Sequence, residues 1–371
     1  MTGKSFKITI IVLLSILFTV LLSLVLFAAF NGYSARYMIS KIFPGTVENI
    51  YKPYKVVETQ TASNAIITGC DGYVYILDDK NLTIYNDRGV ENFSEILDYE
   101  ETILSGGNKR VLVYDKPSGK YLIFEEGEKI YEDTIGRTIL GANMQENGFA
   151  LFILKGKDGF LGSAAVLDDS NEIIATYNYS DRFPVSGCSV ESAENFVIAG
   201  IYSNNTGRTG IDIFEKYNEV PVAGLNRDFL MPLAMSIGSK AFVAAGTNDA
   251  VIFSSTGSEL MAHEFNEIIR IATSENSCFV ADRRTGADRI ICINRNGEQK
   301  WSYSTGLATE RMVAGDRHLF YWSGINAACL DDKGKTVDLQ SGFDQVVGIA
   351  GIGNGKAVVV TAGKLVFYEY H

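Results

Sequence analysis

Histidine, the residue most often used for metal binding and acid–base catalysis, is scarce in this chain of 371 residues: only His263, His318 and His371 are present. A metal site needs several converging ligands, and helical zinc sites place two histidines four residues apart. His263 lacks such a partner, His318 precedes an apolar run, and His371 is the last residue. The Gly-x-Ser-x-Gly motif of a hydrolase nucleophile is absent as well. The sequence therefore predicts no catalytic residue, no metal site and no cofactor.

The five cysteines are an odd number, are widely spaced and include no C-x-x-C pair, the spacing typical of zinc and redox sites. Most lie within or beside apolar runs, as Cys278 does in Ser277–Val280. We interpret them as small buried apolar side chains, since a disulfide framework belongs to domains too small to build a core. They are Cys70, Cys188, Cys278, Cys292 and Cys329.

Paired aspartates are the one polar feature that recurs: Asp78-Asp79, Asp168-Asp169 and Asp331-Asp332. A calcium loop alternates its acids and places Gly and a later Glu at set positions, which these pairs do not. Solvated turn residues are the prediction, with a cation or basic-peptide site as the alternative if several pairs share one face. The glycine-rich stretch 348–355 lacks the Gly-Lys-Ser/Thr ending of a phosphate loop and is predicted to form turns between strands.

Acidic residues outnumber basic ones, 44 against 33, and the formal net charge is −11. Binding to DNA or RNA depends mainly on lysines and arginines that neutralise phosphates. The charge therefore predicts that nucleic acid is not a partner.

Residues 8–30, ITIIVLLSILFTVLLSLVLFAAF, carry no charge. At 1.5 Å per residue such a helix would span about 34 Å, enough to cross a hydrocarbon core of roughly 30 Å. A cleaved signal peptide, the alternative, has an apolar core of roughly 7–15 residues and a small-residue cleavage site. This run is longer and has no good cleavage site at its exit. We predict a tail at 1–7, a transmembrane helix at 8–30 and a juxtamembrane stalk at 31–46.

The orientation of this helix is less strongly encoded, because Lys4 and Lys7 before it are balanced by Arg36 and Lys41 after it. Long domains cross membranes largely regardless of charge, and a short tail usually stays inside. The prediction is a single-pass protein of the cell membrane with its main domain outside the cytoplasm.

One short pattern recurs along the rest of the chain: two apolar residues, three mostly polar ones, then Gly or Asn. Copies begin at residues 84, 123, 166, 213, 252, 292, 329 and 367, so the steps are 37 to 47 residues. Ile84–Gly89 and Cys292–Gly297 are clear copies, and the one that starts at Phe367 is cut short by the chain end. Each copy has the chemistry of a strand that ends in a tight turn, where Gly or Asn tolerates positive φ.

A second apolar run begins 10 to 17 residues before several copies, as in Arg110–Tyr114 and Leu319–Trp322. These runs are short, rich in Val, Ile, Phe and Tyr, and separated by turn signals, which indicates strands. A period near 40 residues with several strands in each repeat is typical of a four-stranded propeller blade. The prediction is an all-β domain, a β-propeller over residues 47–371.

The two ends of this domain predict how the ring closes. The last copy stops at His371, directly after the third strand of its blade, so no residues remain for a fourth. Val47–Glu58, which contains Tyr54–Val57, is predicted to supply that outer strand and so remove two exposed edges. Eight copies predict eight four-stranded blades, with seven as the alternative.

The blade rhythm over residues 45–371 resembles that of the eight-bladed quinoprotein-like propellers and, more distantly, WD40-type propellers. With its N-terminal helix the chain resembles an uncharacterised family of bacterial single-pass membrane proteins with such a propeller. Gly-His and Trp-Asp dipeptides of WD40 repeats are absent. The only tryptophans are Trp301 and Trp322, and no cysteines are adjacent, so the docking motif and cysteine pair of quinoprotein dehydrogenases are absent too. Another eight-bladed relative, the outer-membrane assembly lipoprotein, works by binding alone.

Besides a purely structural subunit of an envelope complex, two functions remain open on these grounds. The first is a binding or scaffolding module at the cell envelope, whose propeller face engages a protein, a peptide or a cell-wall polymer. The second is an enzyme whose site is assembled in the central channel from several blades, such as a lyase, a hydrolase or a quinone-dependent oxidoreductase. A deep polar channel with clustered carboxylates or arginines would favour the enzyme. A flat apolar face would favour the binding module.

Overall fold

The computed structural model describes residues 50–371 apart from residues 108, 191–194, 205–207, 217, 219, 228, 230, 231, 307, 316, 317 and 340–342. The tail, the transmembrane helix and the stalk predicted at 1–7, 8–30 and 31–46 lie outside the described residues. Within the described part of the chain, no helix has the length and apolar character needed to span a membrane. The described residues form 32 strands.

The strands are arranged as consecutive four-stranded antiparallel blades after a first strand, β1 (Ile50–Glu58). Blade 1 contains β2 (Ile66–Cys70), β3 (Tyr73–Asp78), β4 (Asn81–Asn86) and β5 (Glu91–Ile96). Blade 2 contains β6 (Thr102–Gly106), β7 (Arg110–Asp115), β8 (Lys120–Glu125) and β9 (Glu128–Thr134). Blade 3 contains β10 (Ile139–Met144), β11 (Ala150–Lys155), β12 (Gly162–Leu167) and β13 (Ile173–Tyr179). Blade 4 contains β14 (Arg182–Val190), β15 (Asn195–Tyr202), β16 (Thr209–Glu215) and β17 (Ala223–Arg227).

The second half of the chain repeats this arrangement. Blade 5 contains β18 (Leu233–Ile237), β19 (Ala241–Ala245), β20 (Asp249–Ser254) and β21 (Glu259–Glu264). Blade 6 contains β22 (Ile268–Thr273), β23 (Ser277–Asp282), β24 (Arg289–Asn294) and β25 (Gln299–Ser304). Blade 7 contains β26 (Arg311–Ala314), β27 (His318–Ser323), β28 (Asn326–Asp331) and β29 (Thr336–Leu339). Blade 8 contains β30 (Val346–Gly353), β31 (Lys356–Thr361) and β32 (Lys364–Tyr370), with β1 as its fourth strand.

The N-terminal strand closes the ring as predicted. β1 pairs antiparallel with β32 from Tyr51↔Tyr370 to Glu58↔Lys364, with a bulge between Pro53 and Lys55. It also pairs in parallel with β29 through Ile50↔Asp338, so that blades 7 and 8 form one eight-stranded sheet. The strand thus covers the outer edge of β32, which would otherwise expose unpaired backbone groups.

The recurring sequence pattern corresponds to the third strand of each blade, from β4 to β32. The turns after these strands have the predicted backbone, with φ of 71° at Gly89, 63° at Asn171 and 88° at Gly297. This left-handed region favours glycine, which has no side chain, and short polar residues such as asparagine, which explains the Gly or Asn at these three turns.

The core consists of eight separate hydrophobic clusters, one in each gap between neighbouring blades. The alternation of side chains along a strand explains this division. In β3, Tyr75 and Leu77 pack against blade 2, whereas Val74 and Ile76 pack against blade 8. Second and third strands are therefore apolar on both faces and appear in the sequence as continuous apolar runs. The eight interblade clusters establish a ring of eight blades rather than seven.

The first strand of each blade lies next to the axis, because each of these inner strands contacts the inner strands of both neighbouring blades, including β2 with β30. The contact between blades 1 and 8 requires glycine: a Cβ on Gly69 would lie 2.2 Å from the carbonyl oxygen of Gly351. The prediction that residues 348–355 are turns between strands is therefore wrong for most of them. Val346–Gly353 is inner strand β30, and only Asn354-Gly355 turns the chain.

Candidate functional site

All eight inner strands run in the same direction, because each blade contributes four antiparallel strands before the next inner strand begins. Their first residues therefore lie at one face of the ring, which we call the entry face. The entry face also carries the connections between blades and the turns between second and third strands. Turns between first and second strands, and between third and fourth strands, lie on the opposite face.

A cavity of about 430 Å³ opens in the channel between blades 6, 7, 8 and 1. Four inner strands supply most of its wall, and they come from parts of the chain up to 282 positions apart. Its lining combines two arginines with apolar side chains and contains no carboxylate, histidine, cysteine or serine among the described residues. The lining residues are Ile67, Arg270, Arg311, Met312, Val313, Trp322, Val347, Gly348 and Ile349.

The two arginines differ in how the protein holds them. Arg270 on β22 donates from Nε to the carbonyl oxygen of Glu310 at 2.7 Å and from Nη1 to the carbonyl oxygen of Ile269 at 2.6 Å. Arg311, the first residue of β26, is exposed and has no hydrogen-bond or ion-pair partner within the described part of the chain. The cavity therefore presents an oriented guanidinium beside one that is available to a ligand.

The apolar wall of the cavity is closely packed. A Cβ on Gly348 of β30 would lie 2.5 Å from Cδ1 of Ile67 on β2, so glycine is needed for the approach of these two strands. Val347 and Trp322 are buried, and Ile349 belongs to the cluster between blades 7 and 8. The cavity wall is thus continuous with the core and has little freedom to collapse or expand.

The other side of the channel mouth is apolar. Leu140, near the start of β10, is 52% exposed, and Phe183 and Val185, near the start of β14, are 47% and 41% exposed. Inner strands are covered by neighbouring blades on both faces, so side chains exposed there face the channel or its mouth. In a ring of eight, blade 3 lies opposite blade 7. The mouth at the entry face therefore carries exposed apolar side chains at blades 3 and 4, beside the exposed Asp181, and two arginines at blades 6 and 7. We call these its apolar side and its arginine side.

The predicted polar residues do not meet in this channel. His318 is the first residue of β27 and is buried, with Nδ1 3.0 Å from the Tyr51 hydroxyl. His263 on β21 has Nε2 2.8 Å from the carbonyl oxygen of Gly297 on the next blade. The backbone N–H of His371 donates to the carbonyl oxygen of Ile50, at the closing strand. His263 and His318 thus lie in contacts between neighbouring blades, and His371 lies in the pairing of the closing strand within blade 8.

The aspartate pairs do not form one cluster, because the two that share a face lie in blades 3 and 7, on opposite sides of the ring. Asp78-Asp79 lies at the entry face, and the other two pairs lie on the opposite face in blades 3 and 7. Asp168 accepts from the backbone N–H groups of Ser170 and Glu172, both at 2.9 Å. Asp331 accepts in the same way from those of Lys333 and Lys335. These two are turn residues, as predicted.

All five cysteines are free and buried, which confirms the interpretation of these residues as small apolar side chains. Burial raises the pKa of every one of these thiols, that of Cys70 to about 12 and that of Cys292 to about 11. Because the thiolate is the reactive species, these residues are poor targets for thiol reagents.

A set of aspartates that position the inner strands was not predicted from the sequence, and Asp78 among them was predicted only as a solvated turn residue. Asp78, Asp115 and Asp282 each end the second strand of a blade, and each accepts hydrogen bonds from backbone N–H groups just before the inner strand of that blade. Asp282, whose side chain is fully buried, accepts from the N–H of Asn266 at 2.8 Å, directly before the strand that carries Arg270. The sequence pattern that could have identified these residues is an aspartate at the end of an apolar run, as in Tyr73–Asp78 and Arg110–Asp115.

We expect Asp115→Ala to lower the free energy of unfolding by about 2 kcal/mol at neutral pH, because the N–H groups of Glu100 and Glu101 lose a charged acceptor. Burial alone would raise the pKa of Asp115, but hydrogen bonds from Ser118 and these N–H groups outweigh it and lower the pKa. The contribution is therefore complete above the unfolded-state pKa of about 4 and is lost as the pH falls through the lower folded-state pKa.

Urea unfolding of both proteins between pH 7 and pH 2 measures this difference. The matched control is Asp98→Ala, which removes an exposed acid from the loop that contains Glu100 and Glu101. It should change stability by less than about 0.5 kcal/mol. A difference between wild type and Asp115→Ala that stays constant into strong acid would contradict the role assigned to the carboxylate.

Residues 46–368 match the model of a protein family described as a family of unknown function, DUF5711. The chain belongs to this family. A comparison with curated proteins found no match.

Solved structures with a similar fold include BamB from Moraxella catarrhalis, with 13% identity, a TM-score of 0.56, and coverage of 86% of this chain and 100% of that chain. Sqt1 from Saccharomyces cerevisiae has 12% identity, a TM-score of 0.62, and coverage of 87% and 100%. The C-terminal WD40 domain of Sif2 has 8% identity, a TM-score of 0.58, and coverage of 88% and 100%. At such identities the likeness establishes the β-propeller fold alone.

Proposed function

We propose that this protein is a binding or scaffolding module of the cell envelope, whose propeller holds an extended segment of a partner protein at the mouth of its entry face. The observation that carries the proposal is the division of that mouth into an apolar side and an arginine side. A segment with apolar and acidic side chains matches both sides. The lining of the channel cavity has the arginines of an enzyme site but not the carboxylates, and an apolar wall with a few fixed polar groups is the composition of a binding site.

The two sides of the mouth contribute differently to the binding of a partner. Burial of Leu140, Phe183 and Val185 by a partner would contribute roughly 25 cal/mol for each Å² of apolar surface removed from water. The arginines contribute orientation and specificity more than affinity. Since the chain as a whole has a net charge of −11, its overall field repels an acidic side chain of the partner, which the two arginines of the mouth attract locally.

A photo-crosslinking amino acid introduced at Phe183 or Leu140 tests the binding surface in intact cells. We expect both positions to give crosslinks to the same partner protein, and mass spectrometry to place them in an extended segment that contains acidic and apolar residues. The matched control is the same amino acid at Ser94, which is exposed on the outer strand of blade 1. The proposal would be contradicted if Ser94 gave the same crosslinked products as Phe183 and Leu140. It would also be contradicted if the positions at the mouth gave no crosslink, or crosslinks to cell-wall polymer alone.

The proposal also places the predicted helix at residues 8–30 in the cell membrane, with the propeller outside the cytoplasm. Because the native cysteines are buried and have raised pKa values, a cysteine introduced at Ser94 can report topology with little background. We expect Ser94→Cys to react with a membrane-impermeant maleimide in intact cells. Labelling that requires cell lysis would place the propeller in the cytoplasm, and release of the protein by washing would contradict the anchor.

A further inference from the structure

We infer that the cavity between blades 6, 7, 8 and 1 binds a carboxylate that carries an apolar group, with Arg311 and Arg270 holding the carboxylate. The inference rests on the proposed binding function and specifies the chemistry of the ligand at the arginine side of the mouth. Two sources supply this chemistry: the C-terminal residue of a partner protein and a free small carboxylic acid.

The charges around the cavity support the binding of a carboxylate. Other arginines of blade 6 at the entry face have acidic partners: Arg283 pairs with Glu267, while Arg284 and Arg289 pair with the buried Asp282. Arg270 and Arg311 lie on neighbouring inner strands and have no carboxylate partner within the described part of the chain. Two guanidinium groups that line one cavity repel each other, and a bound carboxylate would relieve that repulsion.

Geometry supports a carboxylate rather than another anion. The Glu310 and Ile269 carbonyl oxygens hold Nε and Nη1 of Arg270, which leaves Nη2 without a hydrogen-bond partner among the described residues. Arg311 offers its whole guanidinium, whose planar fork matches the two oxygens of a carboxylate. A dianionic phosphate is usually bound by several backbone N–H groups in a nest or at a helix N-terminus. Here the backbone of Gly348 is in the ladder between β30 and β31.

The size and wall of the cavity support the apolar group. A volume of about 430 Å³ falls within the roughly 300–1,000 Å³ of small-molecule sites. Ile67, Val347, Ile349 and Met312 line the same cavity as the arginines, so the part of the ligand beyond its carboxylate meets hydrocarbon. A ligand with both features fills the cavity without leaving its charge or its apolar surface unmatched.

Trp322 lines the cavity, so its fluorescence reports binding directly. Trp301, the only other tryptophan, lies on the outer strand of blade 6 and donates to the carbonyl oxygen of Asp332. Full-length Trp301→Phe protein would be titrated with an acetylated dipeptide ending in leucine, the C-terminal amide of that dipeptide, octanoate and octyl phosphate. We expect a saturable change in Trp322 fluorescence with a carboxylate probe, and none with the amide. Saturation by the dipeptide alone identifies a C-terminus as the source, and saturation by octanoate alone identifies a free acid.

Arg311→Gln should weaken binding of the carboxylate at least tenfold, since a charge-assisted hydrogen bond is lost. The matched control, Arg283→Gln, removes an arginine of the same face that lies outside the cavity, and should bind as the parent protein does. An unchanged thermal unfolding midpoint in both variants would exclude misfolding as the cause. The inference is overturned if the amide or octyl phosphate binds as tightly as the carboxylates, if Arg311→Gln binds normally, or if no carboxylate gives saturation. Such a failure would leave the crosslinking result at Phe183 unaffected, so the two proposals can fail separately.

Discussion

Replacement of Tyr51 by alanine is expected to lower the free energy of unfolding by about 3–5 kcal/mol, the usual cost of removing a large buried aromatic ring. Tyr51 is 2% exposed and lies where β1 joins β29 and β32. Its ring centroid is 5.2 Å from that of His318, 5.3 Å from that of Phe320 and 5.5 Å from that of Tyr370. The substitution leaves a void where, in the described part of the chain, the first and last strands of the domain are joined within one blade.

Two variants separate the contributions of the ring and the hydroxyl. Tyr51→Phe keeps the ring and loses the 3.0 Å hydrogen bond to Nδ1 of His318, so its cost should be about 1 kcal/mol. Val56→Ala, at an exposed position of the same strand, should cost less than about 0.5 kcal/mol. Urea unfolding measures the stability of Tyr51→Ala, Tyr51→Phe and Val56→Ala. In limited proteolysis, Tyr51→Ala should be cleaved fastest of the three near the closing strand. A Tyr51→Ala protein as stable as Val56→Ala would show that β1 is not needed to close the ring.

Arg182→Met is expected to lower the free energy of unfolding by about 3–5 kcal/mol, because it leaves a buried carboxylate without its partner. Arg182 and Asp212 form an ion pair at 3.1 Å in blade 4, with side chains only 14% and 9% exposed. The guanidinium also lies over the ring of Tyr202, 4.5 Å from its centroid. Burial raises the pKa of Asp212, and the charge of Arg182 opposes that rise.

The pH dependence of this loss provides a second measurement. Without Arg182, the folded-state pKa of Asp212 rises further above its unfolded value of about 4, so the variant loses stability as the pH rises through that interval. The cost of Arg182→Met should therefore be smaller near pH 4 than at pH 7. Arg227→Met is the matched control, since its pair with Glu259 is 35% and 42% exposed and should contribute less than about 1 kcal/mol.

Part of the stability lost in Arg182→Met should be recovered when Asp212→Asn is added, because the double variant no longer buries an unpaired charge. Chemical unfolding of the single and double variants measures this coupling. Equal costs for Arg182→Met and Arg227→Met at pH 7 would contradict the assignment of a buried, stability-determining pair to blade 4.

The features that could be predicted from the sequence are those built by local periodicity. The third strands of the blades are buried on both faces, and in the first seven blades a turn follows them, so segments such as Ile84–Gly89 and Cys292–Gly297 carry the same pattern. The prediction that Val47–Glu58 supplies the fourth strand of the last blade is confirmed, since β1 (Ile50–Glu58) pairs with β32. Buried cysteines were predictable for the same reason, since each lies in or beside an apolar run.

The inner strands and the channel could not be predicted in this way. Some inner strands, such as Arg311–Ala314, are short and partly exposed, so they lack both the continuous apolar run of a buried strand and a regular alternation. The glycines of residues 348–355 were assigned to turns because a single sequence does not show that β2 must approach β30 closely. The aspartates that fix the inner strands, such as Asp282, were readable only as the ends of apolar runs.

The sequence by itself determined the all-β class, the number of repeats and the closing strand, because each blade encodes its own strands within about 40 residues. Only the tertiary structure decided that Ile67, Arg270, Arg311 and Val347 line one cavity. These residues come from four blades and meet only when the ring closes, so no local pattern relates them. The divided mouth of the entry face has the same origin, since blade 3 and blade 7 become opposite only in a ring of eight.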